Sequence, residues 1–416
     1  AEPNLRDTSP ASSAQQRFYA QHMRRPPGVN YNVPVALEIG RELDEDKIEH
    51  AFRALIERHE ILRTSFEIQG GRIVQRICPA ADFQLERIES SPDQVASQVS
   101  RFLRPFDPSA APLIRAGVIG AGPQQRVLVI DMPHVVSDGI SLVILIRELF
   151  ALYQGRSLAT PRIAYKDYAV LQQRLRERGA FAEDAAFWRT RFAEGCPTLS
   201  LPIDFPRPNT KAFLGDNKYV RISKADTEAL SRLAQAHSVT MNVLLFAAYA
   251  LLIHAYSAEK QMVIGTLVQQ RNRPELAQIP GPFVNFLPIP VTLDREHTFA
   301  EFLAAVKHEL LQAYEHAELP FEEIVKESHA VTEPGRNPMF DTMLVFHHYQ
   351  DLGPNGGVDS GPFTVRQLDI ARQTSTLDVK MDVFYRDESH ETVCVLEYDT
   401  ALFTPETMDE FASRFT

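Results

Sequence analysis

The strand and helix periods that run through the first half of this 416-residue chain recur in the second, and that recurrence limits the fold more than any other feature. In the first half, residues 31–39 alternate as a strand. Residues 45–58 place Ile48, Ala51, Phe52 and Leu55 at helical spacing, and 64–69 with 72–78 read as a hairpin about Gly70-Gly71. A helix over 94–103, strands over 113–119 and 126–132, and an apolar helix over 140–153 complete that half. The second half has helices over 224–236, 240–256 and 299–314 and strands over 219–222, 262–267, 340–347, 363–368, 377–385 and 392–398, with a last helix near Pro405. A chain of this length exceeds one ordinary core, so the pattern predicts an α/β protein of two similar lobes. The charged helical stretch from Tyr165 to Trp188, followed by Pro202, Pro206 and Pro208, is the expected connection, which divides the chain into 1–176 and 177–416.

Composition narrows the function. A net charge of −11 opposes sequence-independent nucleic-acid binding, which needs a positive field to displace counterions. Arg24-Arg25 and the set Arg174, Arg176 and Arg178 read as solvated faces rather than a binding stripe. No apolar run approaches the ~20 residues that span a bilayer, and the N-terminus has no basic-then-apolar leader. Cys78, Cys196 and Cys394 lie far apart without metal-ligand spacing, which fits a reduced cytoplasmic setting and no metal. The start without Met and the end at Phe415-Thr416 read as an excised piece, expected to be monomeric.

Chemistry is expected at the loop Pro133-His134-Val135-Val136-Ser137-Asp138-Gly139-Ile140-Ser141, between the strand 126–132 and the helix 140–153. A strand-to-helix loop is rigidly held and often carries function. By spacing alone, a His and an Asp four residues apart read more readily as a turn than as a site, with Asp138-Gly139 supplying turn chemistry and His134 packed. His316 and the pair His347-His348 lack a Cys/His/Asp cluster and read as packing or surface residues.

Seven ordered stretches resemble the condensation domains of nonribosomal peptide synthetases. They are Ser12 to Tyr19; Arg58-His59-Glu60-Ile61-Leu62-Arg63-Thr64-Ser65-Phe66; His134 to Ser141; Tyr165 to Leu171; Gly281 to Pro288; Leu319-Pro320-Phe321-Glu322; and Arg336-Asn337-Pro338-Met339-Phe340. The resemblance covers nearly the whole chain. It implies two chloramphenicol-acetyltransferase-like lobes forming a V-shaped pseudodimer with a central tunnel, and segments near 280–290 and in the C-terminal part that cross between lobes. It implies an acyltransferase in which an acceptor aminoacyl-carrier amine attacks a donor acyl- or peptidyl-carrier thioester. Donor and acceptor peptidyl carrier proteins, or an acyl carrier protein as donor, and an adjacent adenylation domain are then the partners. No cofactor is bound by the domain itself, since the substrates ride on phosphopantetheine arms.

Within that frame His134 is the catalytic residue, as base or as positioner of the amine, and Gly139 offers its N–H at a helix start to an oxyanion. Ser141, Tyr165 and Asn337 are expected to bind substrate. Asp138 is expected to be structural, paired with Arg63 or, failing that, Arg58. Three positions depart from the family pattern: Pro133 stands where its first histidine is usual, Phe286 where a small polar residue follows Asn285, and Pro290 where arginine is common. No G-x-x-x-x-G-K-[ST] or G-x-S-x-G motif offers a nucleotide site or serine nucleophile. The competing readings are a non-catalytic recruiting module, kept open by Pro133, and an epimerisation domain, for which no second acid/base motif is found.

Overall fold

The structure is a computed structural model that describes residues 8–23, 28–39, 43–121, 126–294, 296–331, 333–348, 365–370, 373–386 and 391–416; Arg24-Arg25 and the start of the expected strand at Phe363 lie outside these. The chain divides into two compact units. The first comprises Ala1–Ala180, Gln269–Val284 and Asp351–Ala371, and the second Phe181–Val268, Asn285–Gln350 and Arg372–Thr416.

The first unit is built on a five-stranded sheet in the order Val365–Leu368, Val35–Ile39, Arg126–Asp131, Arg115–Ala121, Glu86–Ser90. All neighbours pair antiparallel except the last two strands, which are parallel. The strand Arg126–Asp131 is central, and its near-continuous apolar run is buried on both faces. Val127 and Val129, with Ala36 and Ile119, pack against Val95, Val99 and Phe102 of the helix Val95–Phe102. The helix Glu45–Arg58 starts where Asp44 accepts from the Lys47 N–H at 3.0 Å, carries Glu45 and Asp46 in its first turn, and packs on the helix Gly139–Tyr153. A three-stranded sheet, Thr8–Pro10, Arg72–Ile77, Thr64–Gln69, completes the unit.

The second unit is built on a six-stranded sheet in the order Val284–Thr292, Gln261–Gln269, Thr342–His348, Val379–Arg386, Glu391–Asp399, Gly215–Ile222. The helix Met241–Ser257, apolar all round, is buried beside Phe299–Glu315 and Pro405–Phe415. No single helix among the described residues is long and apolar enough to cross a membrane.

Three differences from the sequence-based expectation have simple causes. The stretch 165–188 is two helices, Tyr165–Glu177 and Ala182–Arg191, parted at Gly179, whose φ is +70°. Val284–Thr292 is a strand despite Pro288 and Pro290; it lies at the sheet edge, the position in a sheet where proline is tolerated. Glu86–Ser90 escapes periodicity because it too is an edge strand and exposes part of both faces.

Candidate active site

The strand Arg126–Asp131 delivers the 133–141 loop, and a short antiparallel bridge between Asn32 and Pro133 extends its pairing. The hydrogen bonds flank that pair: Val33 N–H donates to Met132 O and His134 N–H to Tyr31 O, each at 2.7 Å. Asn32 and Pro133 are therefore a non-hydrogen-bonded pair, and the N–H that proline lacks is not required by the ladder. This accounts physically for proline at the first motif position. The chain then turns, with Val136 N–H donating to Pro133 O at 3.1 Å, and enters the helix Gly139–Tyr153 at Asp138.

His134 is half-buried and lines a cleft whose apolar wall includes Phe18, Tyr31, Phe106 and Val135. Its ring stacks on Phe18, centroids 4.9 Å apart and planes 10° from parallel. Nδ1 lies 3.1 Å from Ser137 O. A carbonyl can only accept, so this bond places the proton on Nδ1 and leaves the lone pair of the neutral ring on Nε2.

Asp138 does not touch His134. Its carboxylate accepts from the Ser141 N–H at 2.7 Å, the Ser141 hydroxyl at 2.6 Å, the Phe283 N–H at 3.1 Å and both terminal nitrogens of Arg271 at 2.6 and 3.1 Å. The expected pairing with Arg63 or Arg58 is thus corrected: the partner is Arg271. Arg58 instead donates through Nε to Glu148 at 2.8 Å, beside His59, whose Nε2 is 2.6 Å from the same carboxylate. Burial would raise the Glu148 carboxyl, but the hydrogen bonds from His59 and Arg58 outweigh it and hold the group below its ordinary value. Arg63 donates to the carbonyl of Cys78. These two arginines therefore tie the end of the helix Glu45–Arg58 and the hairpin to their neighbours.

Ser141 and Tyr165, expected at substrate, are spent on the scaffold behind the loop. The Ser141 hydroxyl is fully buried, accepts from the Gly281 N–H at 2.8 Å and from Arg271 at 2.9 Å, and donates to Asp138. Tyr165 is buried, its hydroxyl donating to Pro282 O at 2.8 Å and lying 2.7 Å from the Ser12 hydroxyl; burial pushes the phenol well above its ordinary range. Asn337 lies in the second unit, where its N–H meets Asp341 at 3.1 Å and its side-chain amide meets Thr376 O at 3.1 Å. It thus joins a buried ionic cluster of Asp341, Asp378, Arg207, Lys211 and Arg336. Gly139 is the first residue of its helix, with an N–H that has no partner within the helix, and it is exposed.

Arg271, Gly281, Phe18 and Asn32 are the residues that sequence reasoning did not assign to the site. Gly281 has φ +151°, and a Cβ there would lie 1.9 Å from the Tyr165 ring. Phe286 packs edge-on against Phe321, centroids 6.0 Å apart, inside the second unit. His316, 2.8 Å from Asp184 and stacked on Phe187, and His347, 2.8 Å from Asp382, occupy packing positions. Among the described residues no three His, Cys, Asp or Glu side chains converge as metal ligands.

A family model described as the condensation domain matches residues 5–416. Tyrocidine synthase 3 of Brevibacillus parabrevis is 39% identical over 407 residues, covering 98% of this chain and 6% of its own length. Gramicidin S synthase 2 of Aneurinibacillus migulanus is 35% identical over 411 residues, covering 98% of this chain and 9% of its own. The chain therefore spans under a tenth of these relatives. Among solved structures, the X-domain from teicoplanin biosynthesis superposes with a TM-score of 0.89 at 24% identity, covering 100% of this chain and 94% of that one. The first condensation domain of the calcium-dependent antibiotic synthetase, in complex with a substrate analogue, superposes with a TM-score of 0.83 at 19% identity, covering 99% and 95%.

Proposed function

This chain belongs to the condensation-domain family of nonribosomal peptide synthetases, and on that premise we propose that it forms the amide bond between two carrier-bound substrates at His134. The observation that carries the reading is His134 Nδ1 at 3.1 Å from the Ser137 carbonyl oxygen. With Nδ1–H held on Ser137 O, the Nε2 lone pair is the basic atom of the imidazole.

An α-amine has a pKa near 8, so close to neutral pH much of it is protonated and unreactive. The neutral acceptor amine attacks the thioester carbonyl carbon, forming the C–N bond and putting negative charge on the carbonyl oxygen. His134 Nε2 takes the proton that the nitrogen must lose, and the oxyanion falls to the Gly139 N–H at the helix start. Collapse breaks the C–S bond, and the departing phosphopantetheine thiolate takes the proton back from Nε2. No ATP is consumed, because the thioester already carries the driving force. General-base help of this kind is typically worth ~10²–10⁴ in rate.

Asp138 serves as the anion that locks the helix start, through Arg271, Ser141 and Phe283, and acts on rate only through that geometry. Donor and acceptor carrier proteins are the partners of the reaction, with an adenylation domain as neighbour in the larger synthetase.

The deciding experiment is a single-turnover assay with acyl-loaded donor and aminoacyl-loaded acceptor carriers, read by mass spectrometry of the acceptor-bound product. The parent protein should extend the acceptor, and His134→Ala should abolish extension while melting like the parent. Turnover by His134→Ala would sink the base and positioning roles together. A second reading, a module that recruits a partner without chemistry, is favoured by Pro133 at the first motif position. The teicoplanin X-domain, solved in complex with OxyB, has this fold at a TM-score of 0.87. No product from the parent with intact loaded carriers would select that reading.

A further inference from the structure

His134 follows directly on the end of the central strand, and since the ladder does not use an N–H at Pro133, the register of that end rests on the groups packed around it. The segment opposite is Tyr31-Asn32-Val33, tied to it by the two 2.7 Å backbone bonds that flank the Asn32–Pro133 pair. Asn32 adds a side-chain clip. Its amide donates one hydrogen to Asp131 Oδ2 at 2.7 Å and the other to Arg104 O at 3.1 Å, so both donors are used. Asp131 is the last residue of the central strand and is fully buried; Asn32 is 5% exposed. Arg115, on the neighbouring strand, approaches the same Oδ2 at 3.3 Å and also donates to Arg104 O at 3.0 Å. The clip thus joins the strand end, the segment opposite and the Arg104 turn on the side-chain face, diagonal to the backbone bonds.

We infer that Asn32, acting through Asp131, is a positioning residue for the His134 imidazole. The inference rests on His134 being the reacting group. Truncating Asn32 strips a buried acceptor of its shortest bond, leaving Asp131 Oδ2 with Arg115 at 3.3 Å and the Asn32–Pro133 bridge with its two flanking backbone bonds. An imidazole displaced by a fraction of an ångström loses its alignment with the amine, whereas substrate capture at the carriers is untouched.

The test uses protein labelled with ¹⁵N-histidine, its His134 signals assigned with His134→Ala, together with the single-turnover assay at varied acceptor concentration. In Asn32→Ala the His134 ring signals should shift from the parent's Nδ1–H pattern. The rate constant should fall ~10- to 10²-fold at an unchanged half-saturating concentration. The exchange variant Asn32→Asp/Asp131→Asn rebuilds the bond between residues 32 and 131 with donor and acceptor reversed, gives up the bond to Arg104 O, and should bring both readouts part of the way back to the parent. Parent-like His134 signals in Asn32→Ala, or an exchange variant no closer to the parent than the single one, would overturn the inference. If Asn32→Ala does not fold, the exchange variant decides alone: His134 signals that keep the Nδ1–H pattern support the clip and signals that lose it refute it. A parent without turnover would defeat the proposed reaction, while the His134 signals would still report on the clip.

Discussion

Asp138 and Arg271 face each other in a two-pronged ion pair, 2.6 and 3.1 Å between their atoms, with side chains 1% and 7% exposed. Arg271 lies over the Phe283 ring at 4.4 Å and also reaches the carbonyls of Ile279 and Gly281 at 3.2 Å. Removing one member leaves the other charged, buried and unpaired, a loss of ~3–5 kcal/mol. Arg271→Ala and Asp138→Ala should each lower the melting temperature sharply. Arg271→Lys should recover only part, because an ammonium cannot serve two oxygens and two carbonyls as a planar fork does. Arg63→Ala removes a bond to a carbonyl rather than to a buried carboxylate and should cost much less. A melt in which Arg63→Ala is the more damaging would return the pairing to the hairpin.

Gly281 is the tightest backbone position of the site. Its φ of +151° is open to glycine alone, and its Cβ would stand 1.9, 2.4 and 2.6 Å from three atoms of the Tyr165 ring. Tyr165 cannot retreat, since its hydroxyl is held by Ser12 and Pro282 and its ring lies against Phe283 at 4.9 Å. Gly281→Ala is expected to yield little soluble folded protein, and Tyr165→Leu in the same chain should not rescue it fully because the φ strain remains. Parent-like circular dichroism and melting for Gly281→Ala would contradict this packing.

The family and the α/β fold class were legible from the ordered motifs, and the local elements from their periodicity. The helical face Ile48, Ala51, Phe52, Leu55 is the buried face of Glu45–Arg58, and the hairpin about Gly70-Gly71 pairs Thr64 with Ile77 and Gln69 with Arg72. The His134–Asp138 loop was legible because a buried strand ran into an N-cap aspartate and an apolar helix. Partners across the fold were not legible: Arg271 is 133 residues from Asp138, and nothing in spacing ranks it above Arg58 or Arg63. The tolerance of Pro133 was hidden for a similar reason, since it depends on whether the residue falls on a bonded or a non-bonded pair of a register that only the folded sheet defines. The scaffold bonds of Ser141 and Tyr165 were not legible, because a hydroxyl in a motif looks the same whether it faces a substrate or a buried carbonyl.

Asp131 makes stability depend on pH in an unusual direction. Burial pushes its carboxyl up to about 7, against the pull of Arg115, the Asn32 hydrogen bond and the more distant Arg104. The folded protein therefore holds a proton that the unfolded chain, with an ordinary aspartate near 4, releases. This contribution is fully present below about pH 4, declines as pH rises, and is gone above about 7. Asp131→Asn carries an uncharged amide at all pH values. Its stability relative to the parent should therefore rise between pH 4 and 7, measured as the difference between their denaturation midpoints. A flat difference across that window would mean that Asp131 is ionised in the fold.

The oxyanion role of Gly139 can be tested without deleting a side chain. Gly139 is the first helical residue, so its N–H has no acceptor within the helix, and proline is well tolerated at that position. The residue before it, Asp138, has φ −137° and ψ −179°, the extended backbone that proline demands of its predecessor. A Cβ at 139 would meet nothing within 4 Å. Gly139→Pro should therefore fold and melt near the parent while losing one hydrogen-bond donor. If that donor stabilises the tetrahedral oxygen, the single-turnover rate should fall ~10²-fold. Gly139→Ala, which keeps the N–H, should retain most of the rate. Equal losses in the two variants would assign the effect to bulk at the helix start rather than to the missing N–H, and no loss in either would place the oxyanion elsewhere.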